Sequence, residues 1–194
     1  MESLEQKNTA ASPEHTKEFS SMVEIDGLPF VFKGKIDEDK KDIYLSVLLP
    51  TENEDIKRVS NKAGMPHSLM AYGEVGYIAA GVAEGKESEL YISRVRSHAG
   101  WLPPDSKYRN AHIGRFLMDN LLALADMRGW KMSAFAYTDG RLSNEDVNAW
   151  LERKGFSPSA ESSELVRQPQ ESDSKQPIVR LLGSVSHTDQ KDEQ

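Results

Sequence analysis

Tyr108-Arg109-Asn110-Ala111-His112-Ile113-Gly114-Arg115 lies between a strand-like run and the clearest amphipathic pattern of the chain, and its reading decides the fold. From Ile113 onward the apolar residues Ile113, Phe116, Leu117, Leu121, Leu124 and Met127 recur at helical spacing, with Arg115, Asp119 and Asp126 elsewhere. The pattern predicts a helix that Gly129 ends in the left-handed conformation. A loop that turns directly into a helix start leaves backbone N–H groups without intrahelical partners, at the positive end of the helix dipole. Such a start is suited to phosphate.

Upstream, Ser97 to Lys107 forms a long loop with Trp101, Pro103 and Pro104, and loops of that length are often functional. Before it, Glu89 to Arg96 and Tyr72 to Ala83 read as strands. Met22 to Ile25 and Leu28 to Phe32 form a hairpin about Asp26-Gly27, and Ile43 to Leu49 is a further strand, ended by Pro50. Thr51 and Glu54 have capping-box spacing for a short helix to about Ala63, stopped by Gly64 and Pro66.

Downstream, Trp130 to Thr138 alternates as a strand does. Ser143 then caps a second helix, with Glu145 and Asp146 in its first turn, Val147, Trp150 and Leu151 as its apolar stripe, and Lys154-Gly155 closing it. Residues 157–176 are rich in Ser, Glu, Gln and Pro, which predicts a mobile loop, and Ile178 to Leu182 reads as a last strand. Residues 1–18 and 186–194 are polar and are expected to be disordered. The expected organisation is therefore one domain over 19–185, in a chain of 194 residues with 38% hydrophobic content.

The net charge of −7 belongs mostly to the ends: residues 19–160 hold 18 basic against 20 acidic side chains. A near-neutral centre disfavours nucleic acid as a partner, because phosphate backbones require a basic face. With no cysteine there is no disulfide, thiolate metal site or cysteine nucleophile. No apolar run of membrane length and no signal peptide are visible, so a cytoplasmic protein without a membrane partner is expected.

The order strand, long loop, Arg109 to Gly114, amphipathic helix, strand, Asn144-bearing helix and Gly155-Phe156 resembles the GCN5-related N-acetyltransferase family over about residues 86–156. In that family a Gln/Arg-x-x-Gly-x-Gly/Ala pattern wraps the pyrophosphate of acetyl-CoA. Arg109 and Gly114 match its outer positions, and His112 stands where the first glycine is usual. A second pattern follows: Asn144, Leu151, Gly155 and Phe156 keep the family spacing, with Leu151 in place of a tyrosine that protonates the leaving thiolate in many relatives.

The resemblance implies an α/β (α+β) fold, a mixed, mostly antiparallel central sheet flanked by helices in a single domain. It implies transfer of acetyl from acetyl-CoA, as co-substrate and without a metal, to a small-molecule or protein amine by direct attack. The strand before the loop would splay from its neighbour near Val95 and bond the pantetheine arm. Asn110 lies within the matched stretch, the amides of Ala111, His112, Ile113, Gly114 and Arg115 would hold the pyrophosphate, and Arg109, Arg115 or Lys107 would add charge. Asn144 would contact the pantetheine or acyl end, Glu89 would be the base with His98 and Asp105 behind it, and Tyr137 or water would serve the thiolate. The alternative is a non-catalytic module of the same fold that binds CoA or a protein partner, and a homodimer is compatible with either.

Overall fold

In the computed structural model, residues 16–50, 53–59, 66–82, 86, 89–135, 143–171 and 177–183 are described. Three long strands come first: β1 (Thr16–Ile25), β2 (Leu28–Asp37) and β3 (Asp42–Leu48). Asp26 and Gly27 join β1 to β2 with φ of 52° and 76°, the left-handed pair that a two-residue hairpin turn needs. β1 begins at Thr16, inside the stretch expected to be a disordered arm. Its first residues are held by β2, where Thr16 pairs with Asp37 and Phe19 with Gly34.

Two short helices follow, α1 (Glu54–Val59) and α2 (His67–Tyr72), where one was predicted. Thr51 lies outside the described residues; the described cap is Asn53, whose Oδ1 accepts the Asp55 N–H at 2.9 Å. α2 starts after Pro66 and takes in Tyr72, which the sequence reading gave to the next strand. Gly73, at φ 68°, stops it.

β4 (Glu74–Val82) and β5 (Glu89–Ser97) extend the sheet antiparallel, and α3 (Ile113–Arg128) crosses back over it to β6 (Lys131–Ala134), parallel to β5. After α4 (Asn144–Glu152) come β7 (Ser157–Pro158) and β8 (Leu165–Arg167), then α5 (Pro177–Gly183). The sheet order is β1-β2-β3-β4-β5-β6-β8-β7, with β5–β6 its parallel pair. The fold is mixed α+β on a mostly antiparallel sheet, and its core is one continuous cluster.

α3 supplies more of that cluster than any other single element. It buries Ile113, Leu117, Met118, Leu121 and Leu124 against Phe30, Phe32, Ile43, Leu45 and Ile78. Phe116 meets Phe32 edge to face at 5.1 Å. Gly76 sets how closely the helix start approaches the sheet: a Cβ there would lie 2.6 Å from Ile113 Cγ2 and 2.8 Å from the Arg96 carbonyl.

Two expectations fail at the C-terminal end. Residues 157–176 are not simply a loop, because β8 pairs with β6 and β7 with β8. The buried polar residue that disguises β8 is Arg167, whose guanidinium binds Asp126 of α3 at 2.6 and 2.8 Å and the Lys154 carbonyl at 3.1 Å. The run from Ile178 to Leu182 is helix, not strand. Pro177 suits a first helical position, Ile178 and Leu182 are one turn apart and buried, and the Ile178 N–H donates to Asn120 Oδ1.

Candidate functional site

The site begins with an irregularity in β5. Ala79 pairs with Arg94 and Ala80 with Ile92, so Ser93 is an extra residue opposite no partner. Such a bulge bends its strand. The pairing of β5 with β6 runs from Glu89↔Lys131 to Ile92↔Ala134 and stops there, while β5 continues to Ser97. The pairing ends at the bulge, and among the described residues the edge of β5 facing β6 has no strand partner from Ser93 onward.

Between them opens a cleft of about 1170 Å³. One wall is β5 from Tyr91 to Val95, a second is the α3 start from Ala111 to Arg115, and a third is α4 with Val147, Trp150 and Leu151. Ala134, the last residue of the parallel pairing, and Phe135 just beyond it also line the cleft. The walls are largely apolar, with Arg115 at the α3 start, Asp146 on the first turn of α4 and Arg153 just past the α4 end.

The α3 start has a particular hydrogen-bond pattern. The Ala111 N–H is taken by the Tyr108 carbonyl and the Ile113 N–H by the Ala111 carbonyl. The first helical bond runs from Phe116 N–H to the His112 carbonyl, so Gly114 and Arg115 keep N–H groups with no acceptor among the described residues. His112, the N-cap, does not cap the helix with its side chain. Its N–H and Nδ1 instead lie 2.8 and 3.0 Å from Asp26 Oδ2, on the β1–β2 turn. The His112 N–H is the main cause that holds the Asp26 carboxyl below its usual range, with the nearby His112 ring and Arg115 adding to it. A carboxylate of the chain itself therefore sits beside the open amides.

The cleft gathers some of the residues expected from sequence and not others. Val95 and Ala111 through Arg115 line it. Arg109 does not, because its guanidinium turns back to donate to the Leu102 carbonyl within the loop. Asn110 is exposed beside the start, and Asn144 is exposed on the first turn of α4; neither lines the cleft. Lys107 lies over the Tyr108 ring at 5.1 Å. Asp105 pairs with Arg58 at 2.9 Å. Tyr137 falls outside the described residues.

Glu89 is placed unlike a base. It is buried at the opposite end of β5, where Lys131 approaches it at 2.8 Å and Lys86 at 3.9 Å. Burial raises its pKa, but the lysines outweigh burial and leave it below the usual glutamate value. His98, just past β5, is half-buried, and that burial pushes its pKa down even though the Glu74 carboxylate opposes it. Its imidazole is neutral at neutral pH, the form that accepts a proton.

Sequence reasoning missed Ser93, Trp150 and Tyr91 as cleft residues, and Asp26 as the partner of His112. Asp26 was legible only as a turn; no local signal gives a contact that spans 86 positions. A serine among the apolar and charged residues of β5 was the one available hint of the bulge.

Among the described residues no helix is long and apolar enough to cross a membrane, and no group of three or more His, Asp or Glu is placed to hold a metal ion. Comparison of the chain with protein-family models and curated proteins, and of the structure with solved structures, gave no match.

Proposed function

We propose that this chain is an N-acyltransferase that moves an acetyl group from acetyl-CoA to an amine, with the cleft between β5 and β6 as its acyl-CoA site. The observation that carries the reading is the end of a parallel strand pairing at a bulge, directly beside a helix start with open amides. A pantetheine arm carries amide groups of its own and can replace the missing strand along β5. The Gly114 and Arg115 amides, the helix dipole and the Arg115 side chain favour a phosphate there. The apolar walls from Val147, Trp150 and Leu151 suit the arm. The resemblance to the GCN5-related N-acetyltransferases in element order supports the same reading.

The residues divide the chemistry as follows. The free β5 edge and the α3 start bind and orient the thioester. His98 takes the amine proton, directly or through water, in the role first given to Glu89. Leu151, buried in the cleft wall, carries no acid, and among the described residues the phenol that lines the cleft is Tyr91. Because burial lowers the pKa of His98, its base form persists below the ordinary histidine range. Thiol release should therefore hold level through neutral pH and fall only in acid, and His98→Ala should remove that acid limb.

The test is a thermal shift with acetyl-CoA, 3′-dephospho-CoA and adenosine. Ligand bound to the folded state raises the melting point by mass action. Acetyl-CoA should stabilise most and adenosine least. No response to acetyl-CoA at about millimolar concentration would sink the reading. Leu151 and the Asp26 carboxylate beside the helix start favour one other reading, a CoA-binding module without transferase activity; it predicts stabilisation but no thiol release with any amine.

A further inference from the structure

On the sheet face away from α3 lies a second cavity, of about 460 Å³, lined by Tyr44, Ser68, Glu74, Tyr77, Ser93 and Arg94 among others. Ser93 and Arg94 also line the large cleft, so the bulge of β5 is a wall common to the two spaces. The rings of Tyr44 and Tyr77 stack here at 5.3 Å. The Tyr44 hydroxyl donates to Glu74 Oε2 at 2.8 Å. Glu74 is only 7% exposed, and its Oε1 is buried with no hydrogen-bond partner among the described residues.

A buried carboxylate with an unfilled oxygen is costly, and folds rarely keep one without a use. One phenol cannot serve both oxygens. Burial and the Glu74 carboxylate push the Tyr44 phenol up, so it remains a donor and does not add charge of its own. Two tyrosine rings beside the carboxylate present π-faces, which attract a cation. The missing partner has the chemistry of an ammonium group.

We propose that this cavity holds the acceptor of the acyltransferase, and that the acceptor is a diamine or polyamine bound at Glu74 through a charged end. The proposal rests on the acyl-CoA reading of the neighbouring cleft. An ammonium paired with a buried carboxylate stays protonated, so Glu74 cannot also present the reacting nitrogen. It anchors one end, and a second, neutral amine reaches past Ser93, which borders both spaces. The nitrogen lone pair of that amine forms the C–N bond to the acetyl carbonyl carbon, and the C–S bond breaks. The amine proton passes to His98, whose ring lies 6.0 Å from that of Tyr77, and on to solvent, while the thiolate takes a proton from water.

The experiment compares 1,5-diaminopentane with 5-aminopentan-1-ol, which keeps a reacting amine but lacks the second charge. In wild type, thiol release from acetyl-CoA should favour the diamine by about 10- to 100-fold in kcat/KM, the worth of a charged hydrogen bond. Glu74→Gln should remove the preference and leave acetyl-CoA binding unchanged. Tyr44→Phe, which keeps the ring and the carboxylate, should retain it, and so serves if Glu74→Gln does not fold. Equal use of both amines by wild type, or a preference that survives Glu74→Gln, overturns the proposal. Calorimetry with 1,5-diaminopentane alone separates the two readings. At least tenfold weaker binding to Glu74→Gln supports the cavity even if acetyl-CoA fails to bind, and equal binding to both proteins overturns it.

Discussion

The two helices that wall the cleft start in opposite ways. α4 is finished by its own sequence: Ser143 Oγ accepts the Asp146 N–H at 3.1 Å and Asp146 Oδ2 accepts the Ser143 N–H at 3.1 Å, a reciprocal cap within four residues. The Ser143 N–H also keeps the Asp146 carboxyl below its usual range. α3 has no such box. Its cap residue is bound by Asp26 from the far hairpin, and the Gly114 and Arg115 amides beside the cleft have no acceptor among the described residues. A helix start completed locally has only a structural task, whereas one left incomplete beside a cleft keeps capacity for a ligand.

The largest effect is expected from Gly114→Glu. Open space surrounds that α-carbon and its φ is not left-handed, so the fold should survive while a carboxylate enters the anion site. Acetyl-CoA should lose at least about 100-fold in affinity, seen as a vanished thermal shift, given what unpaired like charges cost when desolvated. A retained shift would show that the two helix starts do not differ in function.

Next is Gly76→Ala, whose added methyl meets Ile113 and the Arg96 carbonyl. Lifting the α3 start from the sheet should lower stability by about 1–3 kcal/mol, read from the denaturant midpoint. Ser143→Ala should cost less, about 1 kcal/mol, and leave acetyl-CoA binding unchanged, because it removes only the local cap.

The smallest effect concerns Asp26. Its pKa is lower folded than unfolded, so its contribution to stability is present above the ordinary aspartate pKa and is lost as pH falls through the folded value. Asp26→Asn should flatten the stability profile in that acid window and tighten acetyl-CoA binding severalfold at neutral pH by removing a negative charge from the anion site. Weaker binding would mean that Asp26 positions the helix start and does not compete for it.

What could be read from sequence followed from how local each signal was. The Asp26-Gly27 hairpin, the apolar rows of α3 and the Ser143 cap each lie within a few residues of what they specify. β8 was hidden because its inward Arg167 is explained only by Asp126, 41 positions away. α5 was hidden because a short apolar run serves equally as strand or helix until Asn120 and the α3 surface claim it. The site divides in the same way. Ala111 to Arg115 were legible as the turn into a helix, but of their amides only those of Gly114 and Arg115 lack an acceptor among the described residues, because Tyr108, Asp26 and the Ala111 carbonyl take the other three. Glu89 and Arg109 were misplaced because Lys131 and the Leu102 carbonyl decide where they point.

The buried Arg167–Asp126 pair also has a consequence for the nascent chain. β1 to β5 pair with sequence neighbours and can assemble as they leave the ribosome, but β6 gains its second partner only when Leu165–Arg167 emerge. Until then Asp126 lacks its guanidinium, and one side of β6 remains an open edge. An early stop before residue 165 should therefore yield a chain whose first sheet forms and whose unfinished edge drives it to aggregate.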